Sequence, residues 1–417
     1  MNILIKSCTI VDPTSTYNGK IMDVLVKNGK ISKIDNQIDA DVDTVDGKGK
    51  YLSPGFFDLN ANLGELGYEN KEDFNTASAT AAAGGFTGLT MMPNTDPTVD
   101  SKSQVEYLVN RAKNLLVSIY PYGTISQKRE GKDLSEMFDM KNSGVIAFSD
   151  GDKPIQDAGL MERALLYAKG FDGLVISYPE DKSIAGKAKV NEGEMSTYLG
   201  MKGIPNIAEE LMIVRDLYLA EYTDAKVHFT TISTAHSVEL IRKAKKKGTK
   251  VTCDVAVHHL VFTEKALLDF DTNYKVKPPL RTKDDIKALL KGLEDGTIDA
   301  IVSQHTPQEI EYKEIEFEIA AYGIIGLQTI LPLLLQAGLK PEAIVEKLSI
   351  NSREVLGLAV PTIKENEVAN FVLFDESKWT YTLANNKSKS KNSPLLGKEL
   401  TGKVWLTCNN NQIYQSN

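Results

Sequence analysis

LSPGFFDLNANL, residues Leu52–Leu63, is the stretch on which the fold turns. A Pro-Gly break leads into an apolar run that ends in Asp58, Asn60 and Asn62. That is the build of a barrel strand carrying metal ligands, except that asparagines stand where histidines would serve. Outward from it the chain keeps one rhythm. Short apolar segments follow in order: GLTMMPN, VSIYPYGT, GVIAFSD, GLVISYPE, KVHFTTIST, KVTCDVAVHH and DAIVSQHTP. Each precedes a helical or mixed segment, and the spacing predicts helices over Lys102–Leu116, Gly159–Lys169, Ile207–Tyr222 and Ser237–Lys247. Strands alternating with helices over about 300 residues point to an α/β fold, and a (β/α)8 TIM-like barrel fits the count. A doubly wound sheet is the rival, but no strand is followed by G-x-G-x-x-G.

The ends of the chain differ from its middle. Residues 1–50 read as short strands, with Asn28-Gly29 as a hairpin turn. The last fifty residues return to that style in ANFVLFDE and GKVWLTCNNNQIYQ. Residues 1–50 and 365–417 are therefore expected to form one composite β-sandwich, and residues 51–364 the barrel. The most apolar stretch, Ile324–Leu339, is shorter than the ~20 residues a bilayer needs and contains Gln328, Pro332 and Gln336. It reads as a buried helix.

Composition narrows the partners. The 417 residues are 42% hydrophobic and 25% charged, as in globular proteins, with a net charge of −8 that gives no reason to expect nucleic acid or an anionic membrane. The basic run RKAKKKGTK reads as the exposed end of a helix. Cys8, Cys253 and Cys408 are odd in number and far apart, which argues against disulfides or a thiolate metal site and suits the cytoplasm.

LSPGFFDLNANLGELGYENKEDFNTASATAAAGGFTGLTMMPNTDP resembles the amidohydrolase superfamily, specifically the dihydroorotases of the multifunctional-complex type. So do FSDGDKPI, NEGEMSTYLG, CDVAVHHLVFTE, VKPPLR, GIIGLQTILP and SKSKNSPLLGKELTGKV, and the likeness spans the chain. The resemblance implies a (β/α)8 barrel with one or two zinc ions and reversible hydrolysis of the cyclic amide of dihydroorotate in pyrimidine synthesis. Such chemistry needs a metal that lowers the pKa of water from about 15.7 to about 7, and a carboxylate to move the proton.

Carried over residue by residue, the motif positions depart from the family pattern. The His-x-His ligands are Asn60 and Asn62, and an amide is a poor zinc ligand beside imidazole. The acidic pair before a glycine has become Asp150-Gly151-Asp152, which leaves open which acid would serve. The next two histidines are Tyr178 and Thr231, and the proton-shuttling aspartate is Gln304. Gln308 stands where a further histidine would, Gly64 where a substrate-clamping arginine would, and Lys277 replaces an asparagine. Asn94, Lys277 and His305 are the remnants of substrate contact. Only five histidines exist, His228, His236, His258, His259 and His305, too few in the right places for a rebuilt zinc site. On a strand, adjacent His258 and His259 would point to opposite faces.

The expectation is a dihydroorotase-like pseudoenzyme without zinc or any other cofactor, with no catalytic residues. It would be a homodimer and a structural partner of aspartate transcarbamoylase, as some relatives are. An active dihydroorotase or related cyclic amidohydrolase with an atypical or metal-free site is the alternative. A small-molecule binder or interaction protein is the second.

Overall fold

The computed structural model describes residues 1–416. The chain opens on strands Ile3–Ile10 (β1), Ile21–Lys27 (β2), Lys30–Asp35 (β3), Thr44–Asp46 (β4) and Tyr51–Pro54 (β5). Between β2 and β3, Asn28 and Gly29 both adopt positive φ, 52° and 74°, the two-residue hairpin geometry that Asn-Gly favours. The chain closes on Phe371–Thr380, Glu399–Asn409 and Gln412–Gln415. These ends meet through β5, which pairs in parallel with β1 and antiparallel with Phe371–Thr380 (Val372 opposite Ser53).

The two β-rich ends meet in one hydrogen-bonded sheet, which also curls so that Lys30 bridges Val368. Because β5 hydrogen-bonds on both edges, one path of seven strands, with β4 branching from β1, makes a single eight-stranded sheet. Ile5, Val24, Leu52, Phe371 and Leu406 share its core. Thr407 Oγ1 donates to Ala82 O at 2.7 Å and Asn409 Nδ2 to Thr87 O at 2.9 Å, which ties this sheet to the central unit.

In the middle run Phe56–Ala61 (β6), Phe86–Met91 (β7), Ser118–Pro121 (β8) and Val175–Ser177 (β9). A two-stranded excursion, Val190–Asn191 (β10) and Gly203–Ile204 (β11), precedes Val227–Phe229 (β12), Val251–Ala256 (β13) and Ala300–Val302 (β14). All neighbours pair in parallel: β6 with β7, β7 with β8, β9 with β12, β12 with β13 and β13 with β14. Phe148 bridges Gly123 on one side and Val175 on the other, and His305 bridges Ala61, so the eight parallel segments return to the first. GVIAFSD thus contributes to the ring by single bridges and not by a full strand.

The helices lie where apolar periodicity placed them, with ends set by caps. Asp157 caps Ala158–Lys169 by accepting from Leu160 N at 2.6 Å, and Thr234 caps Ala235–Lys247 by accepting from Ser237 N at 3.0 Å. Such caps contribute about 1 kcal/mol each. Lys102–Arg111 stops five residues short of the expected end. The apolar stretch is helical over a 3-10 turn, Leu327–Thr329, and the α-helix Ile330–Gln336 that follows it, while Ile324 at its start is drawn into a bridge with His305. Its residues Ile330–Leu334 are buried as expected. No described helix is long and apolar enough to cross a membrane. Cys8, Cys253 and Cys408 are all buried and unpaired.

Candidate functional site

The C-terminal ends of the ring strands open onto a cavity of about 220 Å3. Asn60 and Asn62 come from the end of β6, Asn94 from the turn after β7, Tyr178 from the end of β9 and Thr230 from the end of β12. Lys277 and the Gln304–Gln308 loop complete the wall, with Tyr322 and Gly323 above them. These are the ends at which barrel enzymes carry their chemistry.

At Asn60, Asn62, Thr231 and Gln304, positions that motif comparison assigns to metal ligands and the proton-shuttling acid, the side chain is hydrogen-bonded to protein neighbours. Asn60 Nδ2 donates to Thr230 Oγ1 at 3.0 Å. Asn62 Nδ2 donates to Thr306 Oγ1 at 2.9 Å and to His305 O at 3.2 Å. Gln304 Nε2 reaches Lys277 O at 2.9 Å and Thr231 Oγ1 at 3.2 Å. Tyr178 is buried at the wall, and burial, reinforced by Glu180 and Glu209, pushes its phenol well above the usual range, so it stays neutral. Buried amides and hydroxyls must find partners, and here they find one another.

The acids are committed as well. Asp150 turns away from the cavity: its carboxylate accepts from Ile125 N at 2.8 Å, from Ser126 N at 3.0 Å and from the Ser126 hydroxyl. Burial still holds that carboxyl above its ordinary value. Asp152 is exposed and paired with the Arg129 guanidinium. Gly151 lies between them at φ +61° and borders the cavity. Asp58, wholly buried, accepts from Ser303 N at 3.0 Å and from the Ser303 hydroxyl, and burial pushes it up to about 7.

Of the three remnant residues, Asn94 and Lys277 line the cavity, and Lys277 Nζ is 2.8 Å from Glu180 Oε1. His305 does not. It is fully buried behind the wall, where Nδ1 accepts from Gly326 N at 3.2 Å and Nε2 faces Glu72 Oε2 at 3.4 Å. Thr230 borders the cavity, whereas its neighbour Thr231 meets Gln304.

His258 and His259 overturn the strand argument. They sit on a 3-10 turn, Val257–Leu260, that follows β13, and their rings lie side by side with centroids 4.7 Å apart. His259 Nε2 donates to Pro278 O at 3.0 Å, and burial lowers its pKa to about 4. Burial lowers His258 well below the ordinary imidazole value. Both rings are neutral and internal.

Sequence reasoning missed one pair altogether. His228 Nε2 lies 3.0 Å from Asp254 Oδ2, and Nδ1 lies 2.8 Å from Thr252 Oγ1, all inside the ring. Their signal was available: paired parallel strands place His228 opposite Thr252. It also missed Tyr322, whose place at the cavity depends on how a long loop folds back.

Zinc is the group that the resemblance implies, and the side chains present do not fit it. Among the described residues no three His, Cys, Asp or Glu come together to hold a metal. Besides amides and hydroxyls the cavity offers a single carboxylate, Asp152, and the Lys277 ammonium, where catalytic zinc takes three ligands of imidazole, thiolate or carboxylate type.

Known proteins agree on ancestry. Residues 49–237 match the family model described as Dihydro-orotase-like. A dihydroorotase of Acetivibrio thermocellus is 43% identical over 99% of this chain and 98% of its own. One from Syntrophus aciditrophicus is 42% identical over 98% and 97%. Among solved structures, the L-hydantoinase (dihydropyrimidinase) of Arthrobacter aurescens superposes with a TM-score of 0.86 over 100% of this chain and 96% of its own, at 23% identity. The dihydropyrimidinase of Brevibacillus agri gives 0.83 over 100% and 95%, at 20% identity. The likeness in fold carries no more than the fold, but identity above 40% across nearly the whole length of both sequences carries the family. The chain belongs to the dihydroorotase family.

Proposed function

We propose that this chain is a dihydroorotase-family member of pyrimidine biosynthesis that no longer carries out metal-assisted amide hydrolysis and acts through association. The observation that supports this is the closed set of hydrogen bonds Asn60–Thr230, Asn62–Thr306 and Gln304–Thr231 at the positions where the family places ligands and the proton-shuttling acid. Hydrolysis of a cyclic amide needs an activated water and a free carboxylate near it; the one carboxylate on the cavity wall, Asp152, is paired with Arg129. Aspartate transcarbamoylase is the proposed partner, on the precedent of non-catalytic relatives.

Family membership by itself supports another reading, an active dihydroorotase working with an atypical or metal-free site. The relatives that share 41–43% identity bear that name. One preparation separates the two. Purified without chelator, the protein is assayed for transition metals, for dihydroorotate turnover and for co-elution with aspartate transcarbamoylase at micromolar concentrations. Sub-stoichiometric metal, no turnover and a stable complex support association. Turnover at an ordinary enzymic rate establishes the second reading, and absence of both turnover and complex leaves a small-molecule binder.

A further inference from the structure

We propose that a cleft on the floor of the ring, at the end opposite the mouth, binds a small organic carboxylate with an apolar body through Arg353. The proposal is independent of what the mouth does.

The cleft holds about 430 Å3 and lies where the chain passes from the ring to the sheet. Phe57, Thr87 and Ser118, at the N-terminal ends of β6, β7 and β8, form one wall. Residues 358–362 and Val368, on the link into the strand Phe371–Thr380, form the other.

Arg353 is the unusual member of this lining. It follows a π turn, Glu346–Ile350, a local widening of the helix that recurs at functional sites. Its side chain is 4% exposed, and no carboxylate pairs with it among the described residues. All its acceptors are neutral. Nη1 donates to Gly55 O and Ser349 O at 2.8 Å each and to Ser349 Oγ at 3.0 Å, and Nη2 donates to Thr87 Oγ1 at 2.9 Å. The Phe57 ring centroid lies 5.1 Å from Cζ. Burial lowers the guanidinium to about 10, with only Tyr120 acting in the other direction. A buried cation is costly until an anion joins it.

The hydrogen bonds also show which edge of the guanidinium is open. Gly55 and Ser349 do not border the cleft, whereas Thr87 does. Nη1 is thus turned into the protein with its hydrogens used. The other edge, Nε–H with one Nη2–H, is turned to the cleft and has no protein acceptor. Neighbouring N–H groups on this planar fork match the two oxygens of a carboxylate. The Tyr120 hydroxyl, also on the wall, has no protein partner either and supplies a further donor.

The rest of the lining selects the rest of the ligand. Leu358, Val360, Pro361 and Val368 are apolar, and the volume is that of cavities which enclose small molecules. Glu367 is the only acid on the cleft among the described residues, and it is exposed at the rim. One cation on the floor and one acid at the rim admit a monoanion and disfavour phosphate. A molecule there touches both the ring and the link to the sheet, across the barrel from the mouth, so it acts as an effector and not as a substrate.

Calorimetric titration of the full chain with benzoate, its neutral analogue benzamide and inorganic phosphate tests the site. Benzoate should bind saturably with a Kd on the order of 1 mM or tighter, and benzamide and phosphate each ~10-fold or more weakly. Arg353→Met should abolish benzoate binding, but it also removes the bonds to Gly55, Ser349 and Thr87 and so threatens folding. Two surface-side variants therefore carry the test. Val360→Trp, which fills the cleft, should abolish binding, and Glu367→Gln should tighten it by up to ~5-fold. Lys277→Met, at the mouth, should leave it unchanged. Absence of saturable benzoate binding, equal affinity for benzamide or phosphate, or binding that survives in folded Val360→Trp would overturn the proposal. Binding lost in Lys277→Met and kept in Val360→Trp would put the carboxylate in the mouth and overturn it as well.

Discussion

Gly64 stands where the family's substrate-clamping arginine belongs, and the structure makes its replacement costly. Its φ is +71°, and a Cβ built there would lie 2.3 Å from Tyr68 O and 2.4 Å from Glu72 O. Gly64→Ala therefore combines two penalties: about 1 kcal/mol for a left-handed alanine and about 1–3 kcal/mol for forcing the two carbonyls apart. The smaller conformational entropy of unfolded alanine offsets about 0.4–1 kcal/mol. The net expectation is a loss of about 1–3 kcal/mol. Gly49→Ala is the control, since its φ is +73° but nothing lies within 4 Å of the added carbon. Both variants are unfolded in urea against the wild type, with m checked for constancy. Gly64→Ala should be the less stable by the carbonyl term, about 1–3 kcal/mol. If the two glycines behave alike, the close approach is not real, and Gly64→Arg could restore a clamp without rebuilding residues 64–72. If the reasoning holds, the arginine was lost together with the backbone that displayed it.

Restoring histidine in Asn60→His/Asn62→His should yield no dihydroorotate turnover above background, because Gln304 and Gly64 still lack the acid and the arginine and groups that act as a unit are not recovered singly. Elemental analysis of that double variant, purified with zinc present, should still find well under one equivalent held at the barrel mouth. Asp58 has its folded pKa raised to about 7 against an unfolded value of about 3.9, so its stabilising contribution is complete below pH 4 and lost as pH rises to 7. Wild-type unfolding free energy should fall over that window relative to Asp58→Asn by up to ~4 kcal/mol, and parallel pH profiles would refute it. Lys313 Nζ donates to Thr272 O at 2.6 Å, Ala321 O at 2.9 Å and Gly323 O at 3.2 Å. Lys313→Met should thus expose the 309–323 loop to limited proteolysis, and an unchanged cleavage rate would show that the loop is held otherwise.

Short-range pattern was enough to reveal much of this protein. Asn28-Gly29 declares its turn because few other dipeptides tolerate two positive φ values. Alternation of apolar strands and helices foretold the parallel ring, since each strand must cross back over the sheet through a connection. Asn60, Asn62 and Gln304 were legible as changed chemistry because the motifs around them resemble those of the family, whose ligands and acid stand at those positions.

Other features depend on groups distant in sequence. Asp150 and Asp152 are equivalent carboxylates on paper; Ser126 and Arg129 decide that one is buried in a turn and the other stays at the surface. The β-rich ends announced strands, yet only the double pairing of β5 made them one sheet. His258 and His259 escape the rule for strands because β13 ends two residues before His258, at Ala256. The helix Ile207–Thr223 shows the division most clearly. Its sequence determined two apolar faces and their angular separation. Tertiary packing decided which face the ring covers and which faces water, because a helical period relates side chains to one another and says nothing about what lies beside them.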